Sequence, residues 1–433
     1  MSKKIIIAGA GHGGLACAAL LSRNGFDVTV YEKYKRRNLG YDWTDTVDIK
    51  SFETAEIELP KDKVFEKSTN ITFCTPYESS VIVQDIEDEL LTVKIERKEL
   101  YDILINNAEK SGVKFEFGCE IISPILIGDR TVGIKTKKGD FYADLVIDAC
   151  GCDSVVRKQL PDCVGIQKET RKYERFYVYR GIYSKGKEAL HKYKVYLMPN
   201  GKMGIGWVIS DKNTSDVLIG KFEPFGEEEK EEQLAFFREK NSVIGNELIR
   251  GGCFEEIPVR HTLSILVSDG YAAIGDSAFM TIPLLGSGIS NSFNAAKILS
   301  DVIINDETQT YSAETLWDYQ KKYYEKIGFA MAKMAVIRCM LPKLTASQID
   351  YVFESGIITS NELTISSDTS FSPDVSIIKR AIAIIKDRDL LSILAKAVTD
   401  IGRLTALTGS IPEEYSRSKV INWSQKYNKI FEI

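Results

Sequence analysis

Gly9, Gly11 and Gly14 stand as GxGxxG between an apolar run, Ile5 to Ala8, and a stretch of helical content, Leu15 to Leu21. Each glycine meets a different need, since the first allows a tight turn, the second lets backbone approach a pyrophosphate, and the third lets helix pack on strand. An anion in that turn meets the free N–H groups at the positive end of the helix. Glu32 then ends the next apolar run, Val28 to Tyr31. A carboxylate there accepts hydrogen bonds from ribose hydroxyls, so the two features together predict a bound dinucleotide.

A second glycine-rich turn lies far along the chain. Gly275-Asp276 follows the apolar run Tyr271 to Ile274, and Pro283 and Gly286-Ser287-Gly288-Ile289 lead into helical periodicity up to Ile304. Asp276 is suited to hold a ribityl or ribose hydroxyl, and a helix opened by Gly288 stabilises negative charge before its first turn. The two turns resemble the FAD motifs of the flavoprotein superfamily that includes p-hydroxybenzoate hydroxylase and the geranylgeranyl reductases. That resemblance implies FAD, with Gly9, Gly11, Gly14 and Glu32 on its ADP half and Arg97 at the head of a nearby helix. Gly275, Asp276, Pro283, Gly286, Gly288 and Ile289 take the flavin half, and Gly151 joins them through Asp148-Ala149-Cys150-Gly151. Hydroxylases of the superfamily carry Ala-Asp-Gly where this chain has Ala149, Cys150 and Gly151, and a histidine where it has Phe279. The reductases carry Asp-Ala-Ser-Gly, and Pro-Leu-Thr-Gly-x-Gly-Ile where this chain runs from Pro283 to Ile289. The resemblance therefore leans toward the reductase branch.

In that branch two strands of a roofing sheet carry a tyrosine, a tryptophan and a Phe-Pro pair. Tyr196 and Trp207 answer the first two, with Tyr177 on a neighbouring strand, while the Phe-Pro is missing. These are the expected substrate residues, for a small apolar or aromatic molecule. Catalytic candidates come from the loop Gly40-Tyr41-Asp42-Trp43-Thr44-Asp45, where Tyr41, Asp42 and Asp45 are able to give a proton to a substrate after hydride transfer. His12 reads as positional, and His191 and His261 as surface residues. Three histidines supply neither a Ser-His-Asp set nor a metal cluster. Cys150 and Cys152 read as reduced thiols, since a disulfide across one residue is strained.

The elements that must position these groups alternate strand and helix. A chain of 433 residues exceeds the roughly 250 to 300 that one core serves. The expected architecture is α/β. A Rossmann-like FAD-binding domain (1–70, 92–160 and 255–330) takes an inserted antiparallel β-sheet substrate domain (71–91 and 161–254), and a C-terminal helical region (331–433) follows. The insert is read from alternating, aromatic-rich strands, Phe176 to Tyr183, Tyr193 to Leu197, Gly204 to Ile209 and Val217 to Phe222, with a hairpin at Pro199-Asn200-Gly201. A Ser/Thr-rich linker is expected over 359–372.

A net charge of −5 with no basic tract argues against a nucleic-acid partner. Eight scattered cysteines without CxxC spacing, and no secretory leader, fit a cytoplasmic, reduced protein. No apolar stretch reaches the ~20 residues of a membrane span. Contact with a membrane surface is left open. With no second nucleotide fold in the pattern, the electron donor, NAD(P)H or reduced ferredoxin, is expected to visit transiently. The activity implied by the resemblance is flavin-dependent oxidoreduction, with hydride passing from reduced flavin to a C=C bond of a prenyl or lipid-like substrate. Two alternatives stand beside it: an FAD- and NAD(P)H-dependent aromatic monooxygenase, and a non-catalytic prenyl-binding protein on the same fold. A halogenase is set aside for want of its paired tryptophans and lysine.

Overall fold

The computed structural model describes residues 3–61, 65–67, 70–84, 91–188, 191–359 and 387–432. Its first layer is a six-stranded sheet in the order Val267–Ser268, Tyr271–Ala273, Leu145–Asp148, Lys4–Ala8, Asp27–Glu32, Lys114–Phe117. All neighbours pair in parallel except the short edge strand Val267–Ser268. The inner strands read as unbroken apolar runs because helices cover both faces. Register then does the positioning: Ala8 lies opposite Asp148 on one side and Tyr31 on the other. The carboxyl ends of three strands, carrying the first glycine turn, Glu32 and Cys150-Gly151, thus open at one edge, where ligands bind in sheets of this kind.

The helix His12–Arg23 packs on the helix Ile289–Ile304. Ala16, Cys17, Ala18 and Ala19 are fully buried there, and their small size lets the two helices approach. Both helices begin at the same sheet edge.

A seven-stranded sheet lies over that edge, in the order Ile244–Pro258, Arg175–Lys185, Thr214–Lys221, Gly204–Ser210, Tyr193–Leu197, Thr72–Cys74, Val81–Val83. It is antiparallel except where Tyr193–Leu197 meets Thr72–Cys74. The strand Ile244–Pro258 continues through position 254, where the sequence suggests a domain boundary, with a bulge beside Gly251 and Gly252. The helix Glu227–Lys240 covers the outer face of this sheet with Leu234, Phe236 and Phe237. A small sheet joins Thr44–Asp48, Leu91–Glu96 and Phe65–Lys67, so the loop expected over 40–45 is already strand from Thr44.

The C-terminal helices are part of the main core. Tyr319, Tyr323 and Tyr324 pack with Trp423 and Tyr427 of the helix Arg417–Lys429. His261 corrects an expectation: it is fully buried, stacked on Phe431 with ring centroids 3.8 Å apart, because the C-terminal helix closes over it. His191 is half-buried, with Nδ1 3.1 Å from Thr72 Oγ1. Residues 360–372 of the expected linker lie outside the described residues. Among the described residues no helix is long and apolar enough to cross a membrane.

Candidate active site

Strand ends, helix starts and the inner face of the seven-stranded sheet enclose a cleft of about 1280 Å³. Every cofactor residue read from the sequence lines it. Its floor is built of close backbone approaches. Gly9 holds φ +89°, and a β-carbon there would sit 2.6 Å from the Ala149 carbonyl oxygen. One at Gly11 would sit 2.9 Å from the same oxygen, and one at Gly14 2.6 Å from Ala149 Cβ. Gly13, a position the motif leaves free, lies against Ser292 and Ile274. Glu32 braces the turn: Oε2 accepts the Ala10 N–H and Oε1 the Tyr34 N–H, each at 2.8 Å. His12 keeps a buried Nε2 without a partner, packs 4.7 Å from the Tyr101 ring, and is held neutral by burial and then by the Arg97 charge, its pKa lowered to about 3.

The second turn closes the floor. The Gly151 N–H donates to Ser277 Oγ at 2.9 Å, and Asp276 Oδ1 accepts from Thr281 Oγ1 at 2.7 Å. Asp276 is exposed on the cleft yet surrounded by protein, and this burial raises its carboxyl pKa against the pull of Thr281 and Arg97. Cys150, beside it on the cleft, donates its thiol to the Ala8 carbonyl, and burial pushes its pKa well up. A glycine cradle with no room for a side chain, two helix N-termini and two carboxylates spaced along one cleft fit an FAD lying along the floor.

Arg97 organises the segment above. Its Nε and Nη2 grip Asp45 Oδ2 and Oδ1 at 2.8 and 2.5 Å, Nη1 bonds the Tyr41 hydroxyl, and the guanidinium lies 4.3 Å from the Tyr41 ring centroid. Burial pushes the Asp45 carboxyl up to about 7 against the pull of Arg180. The Arg97 fork opposes the same rise and fixes Asp45 as an acceptor. Tyr41 and Asp45 line the cleft, but Asp42 does not. It turns outward to Arg250 and the Gly251 N–H, which hold its pKa down although burial works the other way.

The roof separates the three expected substrate residues. Side chains alternate across a strand, and Phe176 and Arg180 face the cleft while Tyr179 packs outward under the helix Glu227–Lys240. Tyr177 has the outward parity and does not line the cleft. Tyr196 is fully buried on the outer side, its hydroxyl donating to Glu78 Oε2 at 2.6 Å and accepting from Asn241 Nδ2 at 2.9 Å. Trp207 does face the cleft, with Phe176, Ile205, Ile209 and Phe222. Sequence reasoning misses Arg180, Asp216, Trp43 and Tyr101, all of which line the cleft. The available signal is a charged residue inside the strand Phe176 to Tyr183, in phase with the cleft-facing positions.

Residues 7–78 match the family described as an NAD(P)-binding Rossmann-like domain. The chain is 23% identical to the digeranylgeranylglycerophospholipid reductase of Sulfolobus acidocaldarius, over 84% of this chain and 83% of that one. It is 24% identical to a kynurenine 3-monooxygenase of Legionella pneumophila, over 77% of this chain and 79% of that one. Its fold is shared with a geranylgeranyl bacteriochlorophyll reductase-like protein from Thermoplasma acidophilum, with a TM-score of 0.73, 18% identity, and 91% and 99% of the two chains covered. The cleft, its motifs and these likenesses make the chain a flavin-dependent oxidoreductase, similar in sequence both to geranylgeranyl-type reductases and to kynurenine 3-monooxygenases.

Proposed function

We propose that the protein reduces C=C bonds of a largely apolar, prenyl or lipid-like substrate. One observation carries the reading: the cleft runs without a break from the glycine floor to a ceiling of Phe176, Ile205, Trp207, Ile209 and Phe222. Bound and reduced, FAD supplies a hydride there. Gly9, Gly11 and Glu32 hold its ADP half, and Asp276 with the start of the helix Ile289–Ile304 holds the flavin half. The ceiling keeps water from the reacting carbon and orients the chain of the substrate. The Tyr41 hydroxyl, on the cleft beside the Arg97 guanidinium, is the proton donor, since that cation stabilises the oxygen once the proton has left. Asp45 positions Arg97, and Asp42, off the cleft, takes no part. Electrons arrive from NAD(P)H or reduced ferredoxin, docked only transiently.

Aromatic hydroxylation is the second reading, supported by the likeness to kynurenine 3-monooxygenase. Cys150, where hydroxylases keep an aspartate, weighs against it. The two separate in one comparison of anaerobic and aerobic turnover. The reductase reading expects a geranylgeranyl-type lipid to gain two hydrogens per double bond without O₂, as read by mass spectrometry. Oxidation of NAD(P)H that needs O₂ and is stimulated by a phenolic ligand would overturn it in favour of the hydroxylase.

A further inference from the structure

A buried ion pair interrupts the apolar ceiling. Arg180 and Asp216 both line the cleft, 7% and 2% exposed. Arg180 Nε donates to Asp216 Oδ1 at 2.9 Å and Nη2 to Oδ2 at 2.5 Å. Taking two ions out of water costs several kcal/mol each, and apolar side chains of similar volume pack at least as well. Packing alone gives this pair no reason to stand over a pocket for hydrocarbon.

Its geometry supplies one. The carboxylate grips one edge of the guanidinium, while the rings of Trp43 and Trp207 lie 5.2 and 5.6 Å from its Cζ. Arg180 is therefore fixed in place. Among the described residues its Nη1 makes no hydrogen bond, and the buried Nε1–H of Trp207 beside it has no partner either. A pinned donor with one free edge faces the chamber.

Charge balance decides what it takes. Asp216 offsets Arg180, and Asp45 offsets Arg97, whose guanidinium lies 5.3 Å from the Trp43 ring. A carboxylate or phosphate placed there would add an uncompensated charge beside two carboxylates, away from water. An uncharged oxygen gains the charge-assisted hydrogen bond without that cost. We propose that Arg180, held by Asp216, binds the uncharged carbonyl oxygen of a ketone, quinone or ester carried by an otherwise apolar substrate, and so sets the chamber's specificity.

The proposal rests on the reading of the cleft as an apolar substrate chamber beside FAD. The test uses the FAD-loaded protein and three probes of one shape: 2-acetylnaphthalene, 2-ethylnaphthalene and 2-naphthoate, titrated by calorimetry and by perturbation of the flavin spectrum. The acetyl probe should bind at least about tenfold more tightly than either of the others. In Arg180→Leu that preference should fall to within about twofold, with FAD affinity unchanged. In Asp216→Asn the freed cation should raise naphthoate affinity about tenfold and leave the acetyl probe nearly unchanged, which holds the proposal to account even if Arg180→Leu folds poorly. Equal binding of acetyl and ethyl probes, or naphthoate binding tightest to the wild type, would overturn it. Binding by none of the three would overturn the apolar chamber itself.

Discussion

The floor and the roof of the cleft are specified in different ways. On the floor, backbone meets backbone: β-carbons at Gly9, Gly11 and Gly14 would all fall within 3 Å of Ala149 atoms. On the roof, side chains decide, and what matters is which face of a strand they occupy. A floor of this kind tolerates almost no substitution, whereas a roof is rewritten by changing residues at alternate positions without touching the sheet. In this way one scaffold can host different chemistries.

The largest effect that would sharpen the contrast is expected on the floor. Gly14→Val should lower the unfolding free energy by about 3 kcal/mol, read from urea denaturation, because the helix cannot move off Ile7 and Ala149. Wild-type stability for this variant would break the account of the floor. Glu32→Ala removes an acceptor from two backbone N–H groups and, in the proposed reading of the cleft, from the FAD ribose. Charge-assisted hydrogen bonds of that kind are each worth about 1.5–3 kcal/mol, so FAD should bind at least about tenfold more weakly by fluorescence titration.

Next comes a pH effect that belongs to neither face. Burial, and then the Arg260 charge, lower the pKa of His261 well below its ordinary value. Below pH 6.5 the unfolded chain takes up a proton that folded His261 refuses, so its contribution to stability is complete above that pH and falls as pH drops. The slope is about 1.4 kcal/mol per pH unit for one proton. His12 acts in the same direction down to about pH 3. His261→Gln should flatten the stability profile between pH 4 and 6 by about that slope, and an unchanged profile would contradict its burial. The smallest effect tests the outer side of the roof. Tyr196→Phe should cost about 1 kcal/mol of stability through its lost hydroxyl bonds and leave ligand binding in the cleft unchanged, whereas Trp207→Ala should alter ligand binding with FAD affinity intact.

The same contrast decides what is legible in the sequence. Strands such as Ile121–Ile127 and helices such as Arg97–Lys110 and Ile289–Ile304 follow from periodicity and glycine punctuation. The floor follows from short motifs because glycine is required wherever chains approach this closely. Roof parity is not written in any motif. Tyr177 and Tyr196 sit in strands as aromatic residues favour, yet only the register of the whole sheet says which side they face. His261 is misread from sequence for a related reason, since the helix that buries it comes more than 150 residues later in the chain. Gly11→Val, which the motif offers as a test of the pyrophosphate site, would also drive a side chain into the Ala149 carbonyl. Glu32 is therefore the better probe of the cofactor.

The central claim is that the floor holds FAD. Titrating FAD into the purified protein, with its fluorescence followed alongside that of the Glu32→Ala variant, tests it most directly. Saturable binding of one FAD per chain, weakened at least about tenfold in the variant through its lost hydrogen bonds, is the predicted result. Wild-type protein that neither carries nor takes up FAD would contradict it.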